Sequence, residues 1–141
     1  TNTGRFLLLQ ENFIETNTHI RHNKKILKLK KNQIVITIVI NFKDTYLIIL
    51  TKKGYGVCLS IEKLKKLQKN HTWKKLLKIN DTIGGEAVND LDKIIIITTQ
   101  NFLEILKISD IKKQKINTKK IIKFINLKKT DYVKNIKKIR L

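Results

Sequence analysis

Proline and methionine are absent from this chain of 141 residues. A single cysteine, Cys58, excludes a disulfide framework and a cysteine-based metal scaffold. Glycine occurs five times and arginine three times. So few arginines disfavour base-specific readout of nucleic acid, because lysine cannot present the planar pair of donors that a guanidinium offers. Acidic residues are also scarce, 11 against 31 lysines and arginines, which leaves a formal charge of +20. Long apolar runs are missing too. Ile34 to Ile40, broken by Thr37, and Ile94 to Ile97 fall far short of the ~20 residues a membrane helix needs. No membrane partner is expected, and no secretory or lipidation signal is visible. The first residue is threonine, which points to a processed chain or a piece of a longer one.

What is present is lysine (28 residues), isoleucine (25) and asparagine (13), the signature of AT-rich codons, so part of the cationic excess has a cause other than ligand binding. At 41% hydrophobic residues the chain can still bury a core, and its length suits one domain. A chain this basic attracts polyanions, with nucleic acid the default partner and backbone attraction the expected mode.

The chain repeats itself. Leu50 to Leu64 (LTKKGYGVCLSIEKL) and Ile97 to Ile111 (ITTQNFLEILKISDI) share one template. Each has an aliphatic run, a threonine, two polar residues, a turn residue (Gly54 or Asn101), an aromatic (Tyr55 or Phe102) and an apolar stretch with a charged tail. The opening TNTGRFLLLQ fits from its threonine onward, with Arg5 at the aromatic position. Thr1, Thr51 and Thr98 are then equivalent, at spacings of 50 and 47. A second template, KILKLKKNQIVI, KKLLKINDTIGG and KFINLKKTDYV, aligns Leu29, Ile79 and Leu127 at spacings of 50 and 48. Two templates with one period indicate a repeated structural unit.

Each unit reads as β. Gly54 and Asn101 sit where a tight turn needs positive φ, between β-branched and aromatic runs such as Tyr46 to Thr51, Ile94 to Thr99 and Phe102 to Ile108. Further turns are expected at Asn41 to Thr45 and Asn89 to Asp92. From Ile61 to Ile79 the pattern suits a helical turn near Glu62 to Leu67, a loop, and a strand at Lys75 to Ile79. About four strands in ~48 residues cannot close a core alone and must pack on neighbours, as propeller blades do. The expected fold is all-β: a partial propeller of about three four-stranded blades in a single domain, approximately 1–45, 46–92 and 93–141.

Leu50 to Leu64, Asn70 to Ile79 and Asn89 to Ile111 carry a family resemblance. The Gly54-Tyr55-Gly56 turn after an aliphatic run, followed by a strand and an acidic-basic tail, resembles a blade of the C-terminal β-pinwheel of bacterial type IIA topoisomerase A subunits. It is most similar to the A subunit of topoisomerase IV, with that of DNA gyrase a close relative. The resemblance implies a non-catalytic domain whose basic rim binds and bends duplex DNA, helping ATP-dependent strand passage, relaxation and decatenation. A gyrase-type Gln-Arg-Arg-Gly-Gly run has no counterpart, which favours the topoisomerase IV-like reading over a gyrase fragment that wraps DNA for negative supercoiling. The implied partners are double-stranded DNA and, through the rest of the parent enzyme, the ATPase B subunit. ATP and Mg would act on other domains or subunits, with no cofactor in this segment, and the implied location is the bacterial cytoplasm at the nucleoid.

The resemblance puts the rim on the loops leading into the second template. Those loops carry Arg21, Lys24 and Lys25; Lys69, Lys74 and Lys75; and Lys115, Lys119 and Lys120. The turn pair Lys52 and Lys53 joins them as DNA-binding candidates, with Lys65-Lys66 and Lys112-Lys113 secondary. Rim loops Arg21-His22-Asn23-Lys24-Lys25 and His71 to Lys75 are basic but lack the family's glycines.

Catalytic chemistry is not expected in this segment. The family's catalytic tyrosine belongs to another part of the parent protein, and Tyr46, Tyr55 and Tyr132 read as strand or turn residues. His19 and His22 have no Cys or acidic partner at ligand spacing, so no metal is expected. Cys58 reads as a buried thiol with no base nearby. Gly84-Gly85 lacks the phosphate-cradling Gly-x-x-x-x-Gly-Lys pattern. Trp73 reads as packing beneath a basic loop rather than stacking on a base. Two other functions fit the composition: a stand-alone nucleic-acid-binding β module, and a protein-interaction propeller fragment whose lysines reflect codon drift. DNA affinity at moderate salt separates the latter, and a breakage-reunion domain encoded upstream separates the former.

Overall fold

The computed structural model describes residues 1–9, 27–39, 43–67, 73–75, 81–116 and 120–139. Three threonines set its frame. At Thr1, Thr51 and Thr98 the N–H three residues on (Gly4, Gly54, Asn101) donates to the threonine carbonyl at 3.0 Å in every case. The N–H four residues on donates to the threonine hydroxyl, from Arg5 at 3.2 Å, Tyr55 at 3.2 Å and Phe102 at 3.1 Å. The third turn residue takes φ of +71°, +81° and +63° in Gly4, Gly54 and Asn101, the left-handed region that glycine and asparagine tolerate best. The sequence repeat is therefore a repeated turn in space.

The strands are β1 (Arg5–Phe6), β2 (Tyr46–Thr51), β3 (Tyr55–Ser60), β4 (Lys74–Lys75), β5 (Thr82–Val88), β6 (Lys93–Thr98), β7 (Leu103–Lys107), β8 (Ile122–Lys123) and β9 (Val133–Ile139). They form antiparallel sheets ordered β1-β4, β5-β2-β3-β8 and β7-β6-β9. The chain is all-β and propeller-like, as its periodicity indicates. The hairpin β2–β3 runs from Tyr46↔Ser60 to Leu50↔Gly56, and β6–β7 from Lys93↔Lys107 to Ile97↔Leu103. Both receive a later strand on the other side, β5 against β2 and β9 against β6. Both of those pairings slip at the same place, between Leu50 and Thr51 and between Ile97 and Thr98, because the threonine leaves the ladder to build its turn.

The outer strands are exchanged between units. β4 pairs with β1 as Arg5↔Lys75 and Phe6↔Lys74, and β8 pairs with β3 as Tyr55↔Lys123 and Gly56↔Ile122. Arg5 and Tyr55 hold the same place after their threonines, so the two registers match. The units also meet by one rule: Thr82 N–H donates to the Asn2 carbonyl at 3.3 Å, and Val133 N–H to the Lys52 carbonyl at 2.8 Å.

Alternation along β2 and β3 splits the core in two. Ile48, Leu50 and Cys58 face Ile94, Ile96, Ile108, Phe124 and Ile136 in the third unit. Ile49, Val57 and Leu59 face the other way, with Leu64, Phe6 and Leu8. A fully buried aliphatic side chain contributes about 1.5–3 kcal/mol, so these faces fix which side of each strand meets its neighbour. Gly56 lies where a Cβ would run into the Ile49 carbonyl and the Phe124 ring.

The expected helical turn is the helix α1 (Ile61–Leu67), anchored by buried Ile61 and Leu64, with the Ser60 hydroxyl accepting from Lys63 N–H at 3.4 Å. The turn at Asn89 to Asp92 forms through Asp92 N–H to the Asn89 carbonyl (3.1 Å) and Asn89 N–H to Asp92 Oδ2 (2.8 Å). The expected strand Lys75 to Ile79 begins as β4, and residues 76–80 lie outside the described residues, as do residues 41 and 42 of the turn at Asn41 to Thr45. Among the described residues no helix is long and apolar enough to cross a membrane.

Candidate nucleic-acid interface

The strands of each unit have two chemically different ends. One end holds the starts of β2 and β6 and the turn at Asn89 to Asp92. Two ion pairs form there, Lys113 at 2.6 Å from Asp90 Oδ1 and Lys138 at 3.2 Å from the buried Asp44, and Lys93 and Lys107 stand at the same end, opposite each other on β6 and β7. Lys113 Nζ also donates to the Ile108 carbonyl at 2.8 Å and stands over the Tyr46 ring at 5.0 Å. This secondary candidate is thus tied into the fold.

The opposite end carries the threonine turns, and lysines gather there. Lys52 and Lys53 are exposed on the turn after Thr51. Lys52 Nζ sits 4.5 Å from the centroid of the Tyr132 ring. The turn at Thr98 closes on the segment Lys128 to Tyr132: Thr99 N–H donates to the Tyr132 carbonyl (2.8 Å), and Gln100 Nε2 to Thr130 Oγ1 (2.9 Å). Lys128 is thereby held over Phe102, 4.6 Å from the centroid, with Lys129 exposed beside it. Such cation–aromatic contacts fix a long side chain while leaving its charge exposed to water.

The exchanged outer strands deliver more cations to the same end. Lys74 and Lys75 are exposed on β4, opposite Phe6 and Arg5. Lys123 of β8 lies opposite Tyr55, 5.8 Å from its ring centroid. A basic corner is therefore built twice from a threonine turn and the lead-in strand of the following unit, as Arg5, Lys74 and Lys75 and as Lys52, Lys53 and Lys123, and Lys128 and Lys129 add a third cluster at the Thr98 turn from within the third unit.

Among the described residues carboxylates at this end are few. Asp81 is exposed. Asp131 is 4% exposed and turned inward. Burial pushes the Asp131 carboxyl up, but hydrogen bonds from the Thr98 and Thr99 hydroxyls and the Gln100 and Tyr132 N–H groups outweigh it and hold the group below the usual aspartate value.

Of the sequence-derived candidates, Lys52, Lys53, Lys74 and Lys75 occupy these corners. Lys115 and Lys120 are exposed on the segment leading into β8, where Gln114 Nε2 donates to the Lys120 carbonyl. Arg21, Lys24, Lys25, Lys69 and Lys119 lie outside the described residues. Sequence reading missed Lys123, Lys128 and Lys129. The signal for Lys123 was present, since it repeats Lys75 at the second template's period of 48.

Cys58 is buried, and burial above all pushes its thiol up to about 11; Lys113 opposes this shift and Asp90 reinforces it. A thiol raised this far is protonated at neutral pH, which disfavours attack by its sulfur in the folded chain. Among the described residues no group of three or more His, Cys, Asp or Glu could hold a metal ion.

No protein-family model and no curated protein matches the sequence. Among solved structures, the chain is similar to the crystal structure of the C-terminal domain of DNA topoisomerase IV. The TM-score is 0.61 and the identity 15%, over 70% of this chain. The match spans 31% of that chain's length, and at this identity what is shared is the fold.

Proposed function

We propose that the chain is a DNA-binding part of a type IIA topoisomerase A subunit, of the topoisomerase IV-like kind, with blades approximated by 1–45, 46–92 and 93–141. The observation that carries this reading is the repeated basic corner on a fold shared with a topoisomerase IV C-terminal domain. The corners attract phosphates in series. Lysine supplies charge without base recognition, so binding is nearly sequence-independent. Curved DNA brings more corners within reach of one duplex, so bent DNA binds better than straight. In this reading the chain helps its parent enzyme capture DNA in the bacterial cytoplasm. Strand breakage, ATP and Mg belong to other domains and to the B subunit.

The test is fluorescence anisotropy of the 141-residue chain with a labelled duplex, repeated across salt. If roughly 6–10 phosphates are neutralised, affinity falls about 10³–10⁵-fold between about 50 and 200 mM salt. A DNA minicircle should compete better than a linear duplex of the same sequence. Affinity independent of salt would overturn the proposal.

A further inference from the structure

Each threonine turn meets a second, closing turn, and the first and third units build it alike. Gln33 N–H donates to the Lys30 carbonyl at 3.1 Å, and Asp131 N–H to the Lys128 carbonyl at 3.0 Å. The next residue is tied to the threonine turn in both directions. Asn2 N–H donates to the Ile34 carbonyl (3.1 Å), and Ile34 N–H to Asn2 Oδ1 (3.0 Å). Thr99 N–H donates to the Tyr132 carbonyl (2.8 Å), and Tyr132 N–H to Thr99 Oγ1 (3.1 Å). Side chains add a further tie, Gln33 Nε2 to Thr3 Oγ1 at 2.8 Å and Gln100 Nε2 to Thr130 Oγ1 at 2.9 Å. Each closing turn opens on two exposed lysines, Lys30 and Lys31 in the first unit and Lys128 and Lys129 in the third.

The second unit departs from this plan at Lys52. It stands where the other units have Asn2 and Thr99, and an ammonium side chain only donates, so it cannot accept the returning N–H. Its backbone N–H still donates to the Asp81 carbonyl at 2.7 Å, while its side chain turns to the Tyr132 ring. The connection is shorter as well: Ile34 lies 32 residues after Asn2 and Tyr132 33 after Thr99, but Asp81 lies 29 after Lys52. Lys78-Ile79-Asn80 precedes Asp81, without a lysine pair. The pair is instead on the threonine turn itself, as Lys52 and Lys53, whereas the turns Thr1 to Gly4 and Thr98 to Asn101 carry no charged side chain.

We infer that Lys30 and Lys31 form a nucleic-acid backbone contact equivalent to Lys128 and Lys129, and that the units offer one turn-borne lysine pair each in a staggered row. The middle pair is displaced from the closing turn to the threonine turn. This inference rests on the DNA-binding reading above and names the path of that contact. The outer pairs sit on turns fixed by the same hydrogen bonds, so the fold and not composition sets their place. The second unit packs on the first through Phe6 and Leu8 and on the third through Ile48 and Leu50, and both outer pairs stay exposed. Asp81 is exposed at the place the middle pair has left, where its carboxylate repels phosphate and keeps the contact on Lys52 and Lys53.

The test is anisotropy of a labelled duplex across salt, with the 141-residue chain and three variants whose folds are checked by circular dichroism. Lys30→Gln with Lys31→Gln should lower the slope of log affinity against log salt by about two. Lys63→Gln with Lys65→Gln, exposed on α1 beyond the far end of β3, removes the same charge and should lower the slope by less than half as much. Asp81→Lys should tighten binding and raise the slope by about one. The fold holds Asp81 by its carbonyl, which the substitution keeps, and damage to the fold would not tighten binding. A Lys30 and Lys31 variant that behaves like the α1 variant, or an Asp81→Lys chain that binds no tighter, would overturn the inference and leave DNA binding standing. Salt-independent affinity of the unmodified chain would overturn the DNA-binding reading, and this inference with it.

Discussion

Lys138 on β9 places its ammonium 3.2 Å from Asp44 Oδ2 and 2.6 Å from the Ala87 carbonyl, joining residues 94 positions apart. Asp44 is nearly devoid of solvent, with its side chain 1% exposed, and its other oxygen accepts from Asn89 Nδ2 at 3.1 Å. This contact locks the third unit's inner strand to the loop that enters the second. Removing either partner leaves a sheltered charge uncompensated, so Asp44→Ala and Lys138→Ala should each cost about 3 kcal/mol. The double variant should cost much less than their sum, which a denaturant-unfolding cycle would measure.

The threonine turns give a sharper contrast. At Gly54 the φ of +81° and the approach of Ile125 both oppose a side chain: a Cβ would meet Ile125 Cγ2 at 2.8 Å. Gly54→Ala should cost about 2–4 kcal/mol. Asn101 holds the equivalent position with φ of +63°. Asn101→Gly should be neutral within about 0.5 kcal/mol, and Asn101→Ala should cost about 1 kcal/mol. Equal costs for the two alanine variants would contradict this view of the turn.

Asp131 predicts the direction of the acid limb. Its folded pKa lies below the ordinary value, so the unfolded chain takes up this proton first as pH falls. The stabilisation is present above about pH 4 and is lost as pH drops through the folded value. Asp131→Asn should flatten the fall in melting temperature below about pH 4, because the amide does not titrate. An acid limb as steep as that of the unmodified chain would show that the four hydrogen bonds at Asp131 are not responsible.

Much of this architecture could be read in advance because the turn advertises itself. A hydroxyl to accept the returning N–H and a residue that tolerates positive φ are chemical requirements, and Thr51-Gly54 and Thr98-Asn101 display both. The aliphatic runs flanking them then fix the hairpins. The exchange of outer strands left no such trace. β4 and β8 are two residues long, too short for any periodicity, and their partners are chosen by the packing of neighbouring units rather than by local preference. Lys123 nevertheless repeats Lys75 at the period of 48, so its place beside the second turn was legible from the template although its strand partner was not. Lys128 and Lys129 escaped for a different reason: their position follows from Gln100, Thr130 and Tyr132 closing the Thr98 turn, a contact of side chains about 30 residues apart.

Cys58 offers a clean probe of opening. Burial holds the thiol protonated, with a pKa raised to about 11, and only the thiolate reacts readily. At pH 8 alkylation of the folded chain should be slower than that of the denatured chain by several orders of magnitude, with a rate that rises with denaturant as global unfolding does. The unfolded thiol ionises first as pH rises, so folding stability should decline between about pH 9 and 11. Rapid labelling under native conditions would mean that the second and third sheets separate without unfolding.

The lysine corners make the last prediction, and it separates function from composition. If the charges act as a set at the turn end, Lys52→Gln, Lys74→Gln, Lys123→Gln and Lys128→Gln should each reduce the slope of log affinity against log salt by about one. Each should also weaken duplex binding without altering sequence preference, since a phosphate contact carries no base information. Lys65→Gln on the exposed face of α1, outside these corners, should change the slope by much less. If the excess were codon drift alone, all five variants would behave alike, with slopes following net charge and not position. A salt titration of the five proteins side by side distinguishes the two outcomes, because each substitution removes the same single charge from a total of +20 and only location differs.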